Sequence, residues 1–244
     1  MKDAAQRSSK SKQVAFAAVF SAIYLILRIV PTFSMIGISG QFTAGDFLLT
    51  SIATVAGLWS GAVAVVVGTV IGYAVRPPIF FGLDFLPGLV NVSIAALLLS
   101  GRRRLAQAIY VIVLALFLAS PYSLFFGYDH VPYVWLHLAA FALLLSPAAA
   151  RIPSWIKQGG YREVAGFAVL AFVGTMAQHL MGGLLFELSL GVVGGMGPDG
   201  FAGIWRIIFF AYPVERLVIV TISTILALAI FRSFRRWAPP SWIQ

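Results

Sequence analysis

The chain has 244 residues, 60% of them hydrophobic and only 10% charged, with a mean hydropathy of +0.94 and a formal net charge of +9. Ordinary globular domains carry about a quarter charged residues, so the composition argues against a soluble protein and for an all-α, polytopic membrane bundle. Cysteine is absent, which excludes disulfides, thiolate metal sites and cysteine nucleophiles.

In chain order, a basic tail (1–12) precedes a single transmembrane domain (13–232), and a second basic tail (233–244) follows it. Eight apolar segments are expected: 13–30, 44–59, 62–75, 83–99, 105–125, 131–150, 164–190 and 205–231. Lys2, Arg7, Lys10 and Lys12 lie before the first. Arg102, Arg103 and Arg104 sit together between the fourth and fifth. Arg151, Lys157 and Arg162 fall in a later connection, and Arg232, Arg235 and Arg236 come at the end. With the N-terminus inside, all of these reach the cytoplasmic face, as the positive-inside rule requires. The topology then places both termini in the cytoplasm of a multi-pass protein of the inner or plasma membrane. This explains the basic charge without nucleic acid, for which the chain has no dedicated basic domain. The first segment is long, ends in Arg28-Ile-Val-Pro31, and reads as a retained helix rather than a cleaved signal. The second and third are short for a bilayer and joined only by Ser60-Gly61.

Charged side chains inside apolar segments are functional candidates by default. Those inside or at the outer ends of the segments are Arg28, Asp46, Arg76, Asp84, Glu187, Arg206, Glu215 and Arg216, whose charges could pair completely. Helical spacing places Asp84, Gly88 and Asn91 on one face, Thr175, His179, Gly183 and Glu187 on another, and Tyr212 with Glu215 on a third. Glu215 and Arg216 are about 100° apart around a helix, so each is expected to need a partner elsewhere. Pro213 also leaves the Phe209 carbonyl without its intrahelical donor. Together with aromatics such as Tyr133, Trp205 and Tyr212, these residues suggest an outward pocket for a flat organic ligand. Its expected lining is Arg76, Asp84, Asn91, His179, Glu187, Tyr212, Glu215 and Arg216, with Gln41 and Asp46 as a gate. No metal or cofactor is expected. Small-xxx-small patterns occur at Ala18–Ala22, beside Ala15, and at Gly68–Gly72, where helices can approach closely.

The layout resembles the membrane-embedded substrate-binding (S) components of energy-coupling-factor vitamin and micronutrient importers. The likeness rests on Ala18-xxx-Ala22 after a basic tail, Gly40-Gln-Phe-Thr-Ala-Gly-Asp46, and Gly57-Leu-Trp-Ser-Gly61. It continues through Arg76-Pro-Pro to Pro87 and Arg102-Arg-Arg104, covering residues 13–104 best. The resemblance implies that Ala15, Ala18 and Ala22 dock on a transmembrane coupling subunit. It also implies capture of a small-molecule ligand from outside and ATP hydrolysis by separate subunits. Consistently, the chain has no G-x-x-x-x-G-K-[ST] loop. Members of that family usually have six helices rather than eight; either two spans are insertions, with residues 105–150 the candidate, or the chain is a different small transporter.

Two other readings remain open. A scaffold subunit would use the same polar pairs only for assembly. An enzyme reading draws on Gly37-Ile-Ser-Gly40 and Ala177-Gln-His179-Leu-Met-Gly182, which look like the Ser and His motifs of rhomboid intramembrane proteases. There, however, the serine motif opens a later helix rather than following the first. The expectation is therefore a non-enzymatic capture subunit.

Overall fold

The computed structural model of the protein describes residues 2–237 with Pro240 and Trp242; the side chains of residues 2–9, 126 and 237 are outside that description. Lys2 and Arg7, as side chains, and the rest of the C-terminal tail therefore lie outside the described residues.

Eight α-helices carry the described chain: α1 Lys2–Ile29, α2 Leu49–Gly72, α3 Phe85–Leu99, α4 Arg103–Ala119, α5 Trp135–Leu145, α6 Pro147–Gln158, α7 Gly160–Glu187 and α8 Pro198–Trp237. Two short antiparallel hairpins interrupt them. β1 Pro31–Ser34 pairs with β2 Gln41–Thr43, and β3 Phe126–Tyr128 with β4 Val131–Pro132. The protein is all-α in class and has the helices of a membrane protein. Lys10–Ile29, Ala44–Gly72, Gly160–Val193 and Pro198–Arg236 are each long and apolar enough to cross a bilayer. The α5–α6 pair, bent by 70°, makes a fifth if taken as one span.

These elements correct several expectations. Helix α1 begins at Lys2, so helical structure extends back through the expected basic tail. The second and third segments are joined in one helical element, 44–72, so length and apolarity do not mark eight separate spans. The break in that element falls at Gly57, whose φ of 72° and ψ of −166° suit glycine, and not at Ser60-Gly61. The chain bends back sharply there. A Cβ on Gly61 would lie 3.1 Å from the Ile52 side chain, whereas nine residues of straight helix span about 13.5 Å. The 105–125 segment stops being helical at Ala119, and 131–150 divides between α5 and α6. Ser146 causes that division: it caps α6 by accepting from the Ala148 N–H at 3.2 Å, while Pro147 occupies the first helical position.

α7 is the central post, touching α3, α4, α5, α6 and α8, and at about 1.5 Å per residue its 28 residues extend roughly 42 Å. Many apolar side chains outside the core are exposed, among them Val14, Ile112, Phe210 and Val214, as expected of helices whose outer faces meet lipid. Inside, Gly68 lets α1 and α2 touch: an added Cβ would sit 2.9 Å from the Ser21 carbonyl oxygen and 3.0 Å from the Tyr24 ring. The Gly68–Gly72 pattern thus serves internal packing. Gly68→Val is expected to lower stability by about 1–3 kcal/mol through overpacking. Gly203→Ala, with open space around its position, is the neutral control. Tryptophan-monitored thermal unfolding in detergent would compare them, and equal melting temperatures would contradict this packing role.

Candidate ligand-binding site

A cavity of about 120 Å³ opens where α1, α7 and α8 approach the β1–β2 hairpin. Each wall follows from local structure. The end of α1 contributes Arg28, and the hairpin folds over with Gln41 and Phe42. The 3-10 turn Ala44–Leu48 contributes Asp46, α7 contributes His179 and Gly183, and α8 contributes Trp205, Glu215 and Arg216. Hairpin residues Ser34, Gln41, Phe42 and Thr43 form part of the lining, so non-helical chain closes one side of the site.

Two polar arrangements organise the wall. In the first, Asn91 Nδ2–H donates to Gln178 Oε1 at 2.8 Å, and Gln178 Nε2–H donates to Asp46 Oδ1 at 2.6 Å. The Thr43 N–H reaches the other Asp46 oxygen at 3.4 Å. This chain ties α3, α7 and the 3-10 turn together. In the second, Arg216 is 1% exposed and lies over the Phe42 ring, its guanidinium carbon 4.2 Å from the centroid. Its Nη2 meets Glu215 Oε2 at 3.3 Å, while its Nε has no hydrogen-bond partner. Asp46 feels the charges of both Arg216 and Arg28.

Behind His179 stands an aromatic stack. His179 Nδ1 and His137 Nε2 are 3.0 Å apart, one donating and the other accepting. Both rings stack on Tyr212, at 5.1 and 5.4 Å between centroids. The Tyr212 hydroxyl donates to the Tyr133 carbonyl at 2.9 Å. Trp205 continues the layer and is anchored by donating to the Tyr122 carbonyl at 2.9 Å.

The residues expected from sequence separate into groups. Asp84, His179, Glu215 and Arg216 line the cavity. Asn91 and Tyr212 do not reach it, but each supports a residue that does. Arg76 lines a smaller neighbouring hollow and donates to Gln41 Oε1 at 2.7 Å and to the Arg28 carbonyl at 3.2 Å. Glu187 is fully buried beyond Gly183, with Ser120 and Trp205 beside it and no hydrogen bond to either carboxylate oxygen. It therefore lies off the cavity wall. Of the proposed gate, Gln41 is at the rim, whereas Asp46 is buried with both oxygens engaged and belongs to the fixed wall. Ala15, Ala18 and Ala22 lie exposed along α1.

Electrostatic expectations change as well. Of the eight charges expected in or beside apolar segments, only Glu215 and Arg216 form an ion pair among the described residues. Their backbone positions diverge, but their long side chains bend together where Phe42 holds the guanidinium. Asp84 instead accepts the Ile79 and Phe80 N–H groups at 2.9 and 3.1 Å, closing the loop before α3. Ser39 is exposed in the β1–β2 loop and makes no hydrogen bond to His179. The residues missed from sequence are Gln178, His137, Phe42 and Arg28 as a cavity residue. Only Arg28, as a charge in an apolar segment, and Gln178, beside His179, carried a local signal.

Comparisons with known protein families, with curated proteins and with solved structures give no match for this chain.

Proposed function

We propose that the protein is the substrate-capture subunit of a small-molecule importer, similar to the S components of energy-coupling-factor transporters. The observation that carries this reading is the convergence of Arg28, Asp46, His179, Glu215 and Arg216 on one cavity in an otherwise apolar bundle. Charged groups are costly within a membrane and persist where they meet a partner or a ligand. The aromatic layer and the small volume suit a vitamin or other micronutrient, held by hydrogen bonds and ring contact.

In this reading the β1–β2 hairpin is the outer cover, and the Gln41–Arg76 contact helps to hold it shut. The exposed Ala15, Ala18 and Ala22 face of α1 receives a transmembrane coupling subunit, while separate subunits hydrolyse ATP. The reversal at Gly57 supports counting 44–72 as two short legs. With α1, α3, α4, the α5–α6 pair, α7 and α8, these give eight passes through the inner or plasma membrane. The basic clusters and both termini then lie in the cytoplasm.

Native mass spectrometry of the purified protein, combined with a thermal-shift screen of vitamins and metabolites, tests the proposal. A co-purified small molecule, or stabilisation by a member of the screen, is expected. Protein that emerges empty and responds to nothing would overturn the capture function.

A further inference from the structure

Building on the capture reading, we infer that the ligand is a small monocyclic aromatic carboxylate, with its carboxylate held by Arg216. The argument begins with unequal satisfaction of the charges around the cavity. Both oxygens of Asp46 accept hydrogen bonds, from Gln178 and from the Thr43 N–H. Those of Asp84 accept backbone N–H groups. The negative groups thus have donors within the protein, with Glu215 meeting Arg216 through one oxygen.

Arg216 differs. It is 99% buried and, among the described residues, makes a single hydrogen bond, at 3.3 Å, with no acceptor for its Nε–H. Phe42 covers one face of the guanidinium, which fixes its plane, and with Nε enclosed the Nη end is left for an acceptor. A planar carboxylate matches that end, because two parallel N–H···O bonds satisfy both groups. Arg28 adds a second guanidinium to the same wall, which also carries Asp46, Asp84 and Glu215; the two aspartates are already engaged by donors within the protein.

Size and wall chemistry narrow the class. A cavity of about 120 Å³ is small beside the roughly 300–1,000 Å³ of ordinary ligand pockets, which favours a compact, single-ring ligand. Phe186 and Trp205, with ring centroids 5.4 Å apart, offer aromatic surface on the same cavity, where a flat ring can make offset or edge contacts.

The test is calorimetric titration of the native protein in detergent with benzoate, pyridine-3-carboxylate, the two matching carboxamides and benzylamine. At least one carboxylate is expected to bind, its carboxamide about 30-fold more weakly or worse, and benzylamine undetectably. Arg216→Lys keeps the charge but loses the fork, and a loss of about 10-fold or more is expected. The ligand series requires no folded variant. Equal or tighter binding of a carboxamide or the amine would overturn the carboxylate assignment and leave the capture function standing. So would silence toward all five probes when another small molecule co-purifies. Silence toward all five with protein that emerges empty would overturn both.

Discussion

Gln178→Leu is expected to lower unfolding stability by about 3 kcal/mol and to weaken ligand capture at least 10-fold. The side chain holds two hydrogen bonds at once. It donates to Asp46 at 2.6 Å and accepts from Asn91 at 2.8 Å. Bonds to a charged group contribute about 1.5–3 kcal/mol and neutral ones about 1, and a buried group left without its partner adds the cost of its desolvation. After the substitution Asp46 keeps only the 3.4 Å contact from Thr43, and Asn91, 1% exposed, loses its one hydrogen bond. Asn91→Leu should cost less, because the Gln178–Asp46 bond survives. The double variant should cost less than the sum, since the two substitutions share one bond. Thermal unfolding followed by tryptophan fluorescence would measure all three. Strict additivity would show that the three side chains do not act as a connected chain.

The second large effect is expected at the opposite end of α7. Glu163 is 1% exposed, and one of its oxygens accepts from both Nε and Nη2 of Arg232, at 3.1 and 2.8 Å. Arg232 is half exposed, so Arg232→Ala, which leaves the buried carboxylate without its donor, is expected to cost about 1–3 kcal/mol. Replacing both residues by leucine should recover most of that loss, because no charge then remains buried. Ligand affinity should not change in the double variant, since this pair joins α7 to α8 far from the cavity. A wild-type melting temperature for Arg232→Ala would mean that water or another group already satisfies Glu163.

How much of the site could be read from sequence differs from residue to residue. His179, Glu215 and Arg216 stood out because polar groups in apolar segments are conspicuous one at a time. Gln178 sits beside His179 but carries no charge, so it lacked the same prominence. His137 lies in an apolar stretch and becomes informative only when its ring meets His179 across α5 and α7 at 3.0 Å. Phe42 resembled any other aromatic until Arg216 was seen against it. Glu187 shows the opposite case: it shares the helical face of His179, but that face continues beyond the cavity into packed aromatics.

The Glu215–Arg216 pair illustrates why helix angle alone was insufficient. Backbone geometry separates neighbouring side chains at their origin, but long side chains choose rotamers in response to the packing around them. Here Phe42 holds the guanidinium, and Glu215 leans toward it. Likewise, eight charges of balanced sign did not pair off, because Asp84 found backbone donors and Asp46 found Gln178 closer at hand.

The class of protein is legible along the chain: apolar helices of membrane-spanning length, basic residues in the connections, and a short list of polar residues in unfavourable surroundings. These are local properties, governed by desolvation and by the 3.6-residue period. Which polar residues share one cavity follows instead from the packing of distant segments. Asn91 meets a partner 87 residues away, and Asp46 meets one 132 residues away. Such contacts depend on how helices cross and where Gly57 turns the chain, and no local pattern encodes them.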